Sequence, residues 1–135
     1  MAYRRLFYHI IWGTKRGGGI IEAKWEETLY NVIVAQTLSL GAIVYAVGGI
    51  ENHVHLAVSV PPGVALSKFI GQMKGSSSHF VNHTINQPDP FAWQSEYGVV
   101  SFGEKQLDIV CHDVRNQREH HCRQTTIGFL ERIET

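Results

Sequence analysis

Two β-branched runs near the middle of the chain place the strongest constraint on its fold. They extend over residues 42–50 and 53–60 and are separated only by Glu51 and Asn52. A separation of two residues is typical of a β-hairpin, in which the two strands are antiparallel. The even-numbered residues of the second run are all large and apolar, and the period of two in a strand sends them to one face of a sheet. The hairpin therefore predicts an antiparallel sheet with one face buried in a core.

Segments on either side of the hairpin predict a strand and two helices. Residues 5–13 are rich in aromatic and β-branched side chains and are followed by a glycine-rich segment, which indicates a first strand. Apolar residues recur at helical spacing over residues 22–40, and Gly41 follows where a helix-ending glycine belongs. The same spacing returns over residues 66–81, opposite a polar face. One helix is thus expected before the hairpin and one after it.

A final strand and helix are predicted towards the end of the chain. Residues 97–100 form a short strand, and Ser101-Phe102-Gly103-Glu104 has the form of a capping box that opens a helix. The buried stripe of that helix should consist of Leu107, Val110, Cys111 and Val114. The order β-α-β-β-α-β-α predicts an α+β fold of the ferredoxin-like, split βαβ type, with an antiparallel sheet packed against helices and an extra C-terminal helix. We expect residues 1–135 to form a single domain.

Composition excludes several classes of protein. The chain has no apolar run near the roughly 18 residues of a membrane span, and its start lacks the apolar segment of a signal peptide, so we expect a cytoplasmic protein with no membrane partner. Its 12 Lys and Arg residues balance its 12 Asp and Glu residues. Nonspecific binding to phosphates depends on an excess of positive charge. Any contact with DNA must therefore be local and selective.

His53 and His55 stand on the face of their strand opposite the apolar residues. Their Cα atoms should lie roughly 6 to 7 Å apart, a separation that lets two imidazoles converge on one ion. Neutral imidazole is a common ligand of divalent metals. The alternative is that both histidines are polar residues facing solvent.

The segment from Asp113 to His121 is predicted to continue the last helix. Asp113, Gln117 and His120 would share one stripe, because residues three or four apart on a helix are neighbours. Alternatively, these are solvated residues, with the basic ones favoured near the C-terminal end by the helix dipole. Cys111 and Cys122 would lie about 16 Å apart on this helix, too far for a disulfide or a shared zinc ion.

As a set, several short motifs resemble the single-tyrosine (HUH) transposases of small insertion sequences and their relatives associated with palindromic repeats. The resemblance extends over nearly the whole chain, and no single motif would be specific alone. The motifs are Tyr8-His9, Thr14-Lys15, Asn52-His53-Val54-His55-Leu56 with Pro61-Pro62, Lys74-Gly75-Ser76-Ser77-Ser78, Phe91-Ala92-Trp93-Gln94 with Tyr97-Gly98, and Asn116-Gln117 with His120-His121.

The resemblance implies a metal site. In the family, the two histidines and a glutamine of the C-terminal helix hold a divalent ion, Mg or Mn, which implies His53, His55 and Gln117 here, with His120 and His121 as supporting residues. The ion polarises the scissile phosphate of single-stranded DNA while a tyrosine attacks and becomes covalently attached. Such an enzyme cleaves and rejoins DNA at the ends of an insertion sequence.

The family's tyrosine lies four residues before that glutamine, and this chain has Asp113 there. A carboxylate that attacked phosphate would form a labile acyl phosphate, so we expect strand transfer to be impaired. Asp113 could instead serve as a further metal ligand or as a base for water, which would give a hydrolytic nuclease. Tyr97, the last tyrosine of the chain, matches a different family position, and we do not expect it to be the nucleophile.

The resemblance also implies a DNA partner and a homodimer with composite sites. Family members bind hairpins formed by imperfect palindromes, and basic and hydroxyl side chains contact phosphates well. The candidate DNA-binding residues are Lys15, Arg16, Lys68, Lys74, Ser77 and Ser78. The segment that begins at Lys74 could otherwise be a solvated helix face. Besides an impaired transposase, a non-catalytic hairpin-binding protein and an unrelated metal-dependent or structural module stay open as alternatives.

Overall fold

The computed structural model describes residues 6–16 and 20–117 of the chain. Its strands and helices, labelled in chain order, are β1 (Phe7–Gly13), α1 (Ala23–Ser39), β2 (Ile43–Ile50), β3 (His53–Ser59), α2 (Leu66–Phe80), β4 (Gly98–Phe102) and α3 (Leu107–Arg115). The four strands form one sheet in the order β2-β3-β1-β4, and every neighbouring pair is antiparallel. This arrangement confirms the predicted α+β, ferredoxin-like fold. None of the helices in the described ranges is long and apolar enough to cross a membrane.

The β2–β3 hairpin forms where the sequence predicts it. Ile50 pairs with His53 across the two-residue turn, and the pairing continues as far as Ile43 with Ser59. Gly41, which ends the preceding helix, has a φ of +81°, a conformation that favours glycine. The sequence pattern therefore predicts the position of the turn, while the register shifts between Val44 and Ala46 through an irregularity that the pattern does not indicate.

The main hydrophobic core fills the space between one face of the sheet and helices α1 and α2. Even-numbered residues of β1 and β3 point into it and meet apolar side chains of both helices. Its fully buried members include Ile10, Trp12, Leu29, Ile33, Val54, Leu56, Val58, Phe69 and Met73. Each such aliphatic or aromatic side chain contributes about 1.5–3 kcal/mol when it is fully buried. This face of the sheet therefore carries most of the stability.

A smaller core lies on the opposite face, beneath α3. It consists of Ala46, Ala57, Cys111 and Val114. Small side chains on β2 and β3 let the helix pack close to the strands. The buried residues of α3 lie within the stripe that the sequence predicts.

Gly48 is the point of closest approach between α3 and the sheet. A Cβ atom at this position would overlap the carbonyl oxygen of Val114 and lie 3.3 Å from the Cα atom of Arg115. Gly48 also pairs with His55 on the neighbouring strand, so both residues face α3. The missing side chain of Gly48 therefore brings the end of α3 directly over the histidine-bearing part of β3.

The prediction of a capping box is wrong. Ser101 lies within β4, which extends to Phe102, and a short 3₁₀ helix begins only at Glu104. α3 follows at Leu107, and no side chain caps it. Pairing of Phe102 with Phe7 continues the strand through the proposed cap position, so tertiary pairing overrides the local motif.

The expectation of one continuous C-terminal helix is also wrong at Asn116. This residue leaves the helical region, with φ −111° and ψ 35°, and α3 ends at Arg115. Asp113 and Gln117 therefore do not share a stripe on one uninterrupted helix. Cys122 and the rest of the predicted helix lie outside the described residues.

Substitution of Gly48 by Ala should displace α3 and lower stability by about 1–3 kcal/mol, the usual cost of forcing extra atoms into a packed interface. Gly71→Ala is the matched control, because Gly71 lies within α2 and a Cβ there meets nothing within 4 Å. That control should stabilise the protein by up to about 1 kcal/mol through helix propensity. Urea unfolding of both variants tests the prediction, and equal stability of Gly48→Ala and the wild type would contradict it.

Candidate functional site

His53 and His55 lie on the face of β3 that α3 covers, and both are buried. The alternation predicted from sequence is correct, since Val54 and Leu56 point into the main core on the other face. The alternative of two solvent-facing histidines is wrong. Their ring centroids are 4.8 Å apart.

Asn52 fixes the orientation of His53. The side-chain oxygen of Asn52 lies 2.8 Å from Nδ1 of His53. An amide oxygen accepts a hydrogen bond, so this contact favours the form of His53 with a proton on Nδ1, in which Nε2 is the nitrogen able to ligate a metal.

A third histidine, His9 of β1, belongs to the same buried cluster. Its Nε2 atom lies 2.8 Å from Nδ1 of His55, and the two ring centroids are 5.0 Å apart. Burial lowers the pKa of His9 to about 4, and the nearby carboxylate of Asp113 partly opposes this shift. His9 is therefore neutral at physiological pH and lies close to the half-buried Asp113.

Gln117 is buried just beyond the end of α3. Its Nε2 atom donates a hydrogen bond of 2.8 Å to the carbonyl oxygen of Asp113. Its Oε1 atom is buried and has no hydrogen-bond partner among the described residues. An unsatisfied buried amide oxygen costs free energy, and a metal ion would satisfy it.

The groups that could hold a metal ion are therefore the imidazoles of His53 and His55 and the side-chain oxygen of Gln117. The described residues contain no cluster of three or more His, Cys, Asp and Glu side chains able to hold a metal ion. His53, His55 and Gln117 fit a divalent ion in donor chemistry and burial. The supporting residues predicted from sequence, His120 and His121, lie outside the described residues.

The candidate DNA-binding residues have different surroundings. Lys15 and Arg16 are exposed just after β1, and Lys68 is exposed on α2. Gly13, at the end of β1, pairs with His53, so Lys15 and Arg16 lie at the end of the sheet where the histidine motif begins. Tyr97 is partly exposed and precedes β4.

Ser77 is not available to DNA. It is fully buried, donates a hydrogen bond to the carbonyl oxygen of Met73 and accepts one of 2.9 Å from Nε1 of Trp93. The expectation that Ser77 contacts DNA is therefore wrong, because helical periodicity turns its side chain inwards. Ser78 is half-buried beside it and donates to the carbonyl oxygen of Gly75.

Lys74 holds the loop that precedes β4. Its ammonium group donates hydrogen bonds to the carbonyl oxygens of Gln94 and Glu96. Burial lowers the pKa of Lys74. Beside it lies an open groove of about 420 Å³, whose lining includes Lys74, Gly75, Ser78 and Gln94.

No site role was predicted from sequence for three residues: His9 and Gly48 in strands, and Asn52 in the turn. His9 and Asn52 nevertheless belong to the motifs that carry the family resemblance. A histidine within the apolar run Phe7-Tyr8-His9-Ile10-Ile11-Trp12 is a signal that could have found His9, because a polar residue in a buried strand needs a partner. Nothing in the local pattern at Gly48 indicates the helix that packs against it.

Ser77→Ala should lower stability by about 1–3 kcal/mol, since it leaves the buried indole N–H of Trp93 without its acceptor. Ser78→Ala is the matched control and should change stability by less than about 0.5 kcal/mol. Thermal unfolding of the two variants measures the difference. Equal effects of the two substitutions would show that the Trp93 hydrogen bond has no structural role.

Comparison with known proteins agrees with this architecture. The chain matches the family described as "Transposase IS200 like" over residues 2–117. A protein of Deinococcus radiodurans R1, provisionally assigned as a transposase, has a TM-score of 0.66 at 21% identity, with 92% of this chain and 93% of that chain covered. A REP-associated tyrosine transposase bound to a REP hairpin also has a TM-score of 0.66, at 13% identity, with 90% of this chain and 74% of that chain covered.

No curated protein matches the chain. The match to the family extends over all four strands and all three labelled helices of the described fold. The chain therefore belongs to the IS200-like transposase family.

Proposed function

We propose that this protein binds single-stranded DNA hairpins, holds one Mg²⁺ or Mn²⁺ ion with His53, His55 and Gln117, and is impaired in strand transfer. The observation that carries the proposal is the buried amide oxygen of Gln117 beside the end of α3. Packing alone would favour an apolar side chain there. A bound cation would compensate that cost, and both histidines would coordinate it together with Gln117.

The donor set supports Mn²⁺ as the better probe of the site. Oxygen donors suit both Mg²⁺ and Mn²⁺, whereas imidazole nitrogens favour the softer transition metals. The ion, when bound, supplies Lewis acidity to the scissile phosphate. The protein's own contribution is to orient both imidazoles and to exclude water beneath α3.

Asp113 changes what the site can do. Its carboxylate approaches the histidine cluster closely enough to act on the pKa of His9. A tyrosine at this place would attack phosphorus through its hydroxyl oxygen, with one P–O bond to deoxyribose breaking and the released oxygen taking a proton. A carboxylate would give an acyl phosphate that water hydrolyses, so the bond energy needed for rejoining is lost. We therefore expect binding without productive strand transfer.

The DNA contacts are proposed for the end of the sheet where β1 ends and β3 begins. Lys15 and Arg16 present exposed positive charge there, and Ser78 borders the groove beside α2. Lys68 presents a further exposed charge in the first turn of α2. Lys74 is proposed to act mainly by holding the loop at Gln94. The related structure bound to a REP hairpin supports a hairpin as the ligand. Because the net charge of the chain is zero, specificity must come from these local contacts.

A homodimer with composite sites is part of the proposal. Ile109 of α3 is well exposed, and a small depression beside it is lined by Asp108, His112 and Asp113. An apolar side chain at such a place is compatible with a partner helix. Sedimentation equilibrium with and without hairpin DNA measures the oligomeric state.

Asp113→Tyr should restore a covalent protein–DNA adduct. The wild type and an Asp113→Phe control should give none, because neither offers a phenolic hydroxyl. The assay uses labelled single-stranded hairpins from the flanks of the gene, Mn²⁺ and denaturing gels. An adduct formed by Asp113→Phe or by the wild type would contradict the assignment of position 113, and absence of hairpin binding by all three proteins would contradict the DNA-binding proposal.

Gln117→Leu should lower Mn²⁺ affinity by more than about tenfold while changing the metal-free stability by less than about 1 kcal/mol. The variant removes both the unsatisfied oxygen and the hydrogen bond to Asp113, and these effects on stability have opposite signs. Gln106→Leu, at an exposed position, is the matched control. Calorimetric titration with Mn²⁺ and unfolding in EDTA measure the two quantities. Unaltered Mn²⁺ affinity in Gln117→Leu would exclude Gln117 as a ligand.

A hydrolytic nuclease is the second candidate function, and the position of Asp113 beside His9 favours it. A carboxylate there can accept a proton from an attacking water. Multiple-turnover cleavage of a hairpin by the wild type, lost in Asp113→Asn, would support this alternative. Stable binding without cleavage would favour the non-catalytic hairpin-binding protein.

A further inference from the structure

We propose that His9 is a positioning residue, which accepts a hydrogen bond from Nδ1 of His55 and thereby holds Nε2 of His55 in the form that can bind a metal. The inference rests on the proposed metal site of His53, His55 and Gln117. It adds a role on β1 that the sequence motifs of β3 and α3 do not contain.

The geometry places His9 beside His55, one of the proposed metal ligands. His9 pairs with Ala57 in the register of β1 and β3, and His55 pairs with Ile11, so the two histidines stand diagonally on the same face of the sheet. Their nitrogens are 2.8 Å apart, which is within hydrogen-bond distance. Both rings are buried, so water does not compete for this contact.

The direction of this hydrogen bond decides whether His55 can act as a ligand. If His9 donated to Nδ1 of His55, the proton of His55 would reside on Nε2, and that atom could not coordinate. If His55 donates, Nε2 carries the lone pair. The proposed metal site requires the second arrangement, because Nδ1 of His55 faces His9 and only Nε2 of His55 is left to coordinate an ion. Since Nε2 of His9 faces His55, the remaining N–H is at Nδ1.

His53 and His55 are thereby oriented in parallel ways. Asn52 accepts from Nδ1 of His53 at 2.8 Å, and His9 accepts from Nδ1 of His55 at the same distance. Metal-binding histidines usually donate their second N–H to such a partner, and removal of the partner typically costs about 10–100-fold in metal affinity. Each of the two imidazoles therefore has its own outer hydrogen-bond acceptor.

The test compares His9→Gln with His9→Met at pH 7.5. Glutamine can reach His55 with its side-chain oxygen and accept the same hydrogen bond, whereas methionine fills a similar volume without a comparable acceptor. The first readout is the tautomer of His55 in the metal-free protein, measured from its imidazole ¹⁵N shifts and assigned with a His55→Asn variant. The second readout is Mn²⁺ affinity by calorimetry.

We expect the wild type and His9→Gln to keep the proton of His55 on Nδ1 and to bind Mn²⁺ with similar affinity. His9→Met should shift the proton population towards Nε2 and weaken Mn²⁺ binding by about 10–100-fold. Unfolding in EDTA checks that both variants are folded. If His9→Met left the tautomer unchanged, or if the wild type itself carried the proton on Nε2, the inference about His9 would be overturned.

The outcomes separate the inference from the metal site on which it rests. Failure of the wild type to bind Mn²⁺ overturns the metal site, while the tautomer measurement still decides whether His9 orients His55. Normal Mn²⁺ binding by the wild type with equal affinity in His9→Met overturns the inference alone. Loss of affinity in His9→Gln as large as in His9→Met would point to direct coordination by His9 and would also overturn it.

Discussion

The close approach of α3 to β2 at Gly48 is the contact on which the candidate site depends. Because Gly48 has no Cβ atom, the backbone of Val114 contacts β2 directly at this point. Gly48 pairs with His55 on the neighbouring strand β3. The helix then buries both histidines, brings Asp113 near His9 and leaves Gln117 buried just beyond its end. A bulkier packing layer would separate these groups and admit water between them. The chemistry of the face is therefore set by a missing side chain as much as by the polar ones.

The sheet divides stability and function between its two faces. Large apolar residues fill the face under α1 and α2, whereas the face under α3 has a small apolar cluster and the polar residues of the site. Buried imidazoles and amides contribute little net stability, since their desolvation offsets their hydrogen bonds. The extensive core on one face offsets that cost on the other.

Most of the fold was predictable from sequence because each element carries its own periodicity. Glu51 and Asn52 mark the turn of the hairpin, and the alternation in β3 assigns His53 and His55 to the correct face. The errors lie where long-range contacts override local pattern. Ser101 resembles a helix cap but pairs within β4, and Ser77 resembles a surface hydroxyl but accepts a hydrogen bond from Trp93, sixteen residues further along the chain. His9 contacts His55 through the pairing of β1 with β3, and these residues are 46 positions apart. The spacing of residues within either strand does not predict this contact.

In the proposed function Asp113 stands where the family's tyrosine is expected, and its charge has a consequence beyond the lack of a nucleophile. A tyrosine hydroxyl carries no charge at physiological pH, whereas an aspartate carboxylate adds one negative charge beside the imidazoles. In a partly buried position, where screening is weak, that charge strengthens attraction for a divalent cation and repels the phosphate that must approach it. In the proposed site, the negative charge of the carboxylate would therefore reduce the positive charge that a bound cation presents to the phosphate of DNA. In the proposed function, an aspartate at position 113 therefore favours holding a metal ion over transferring a bond.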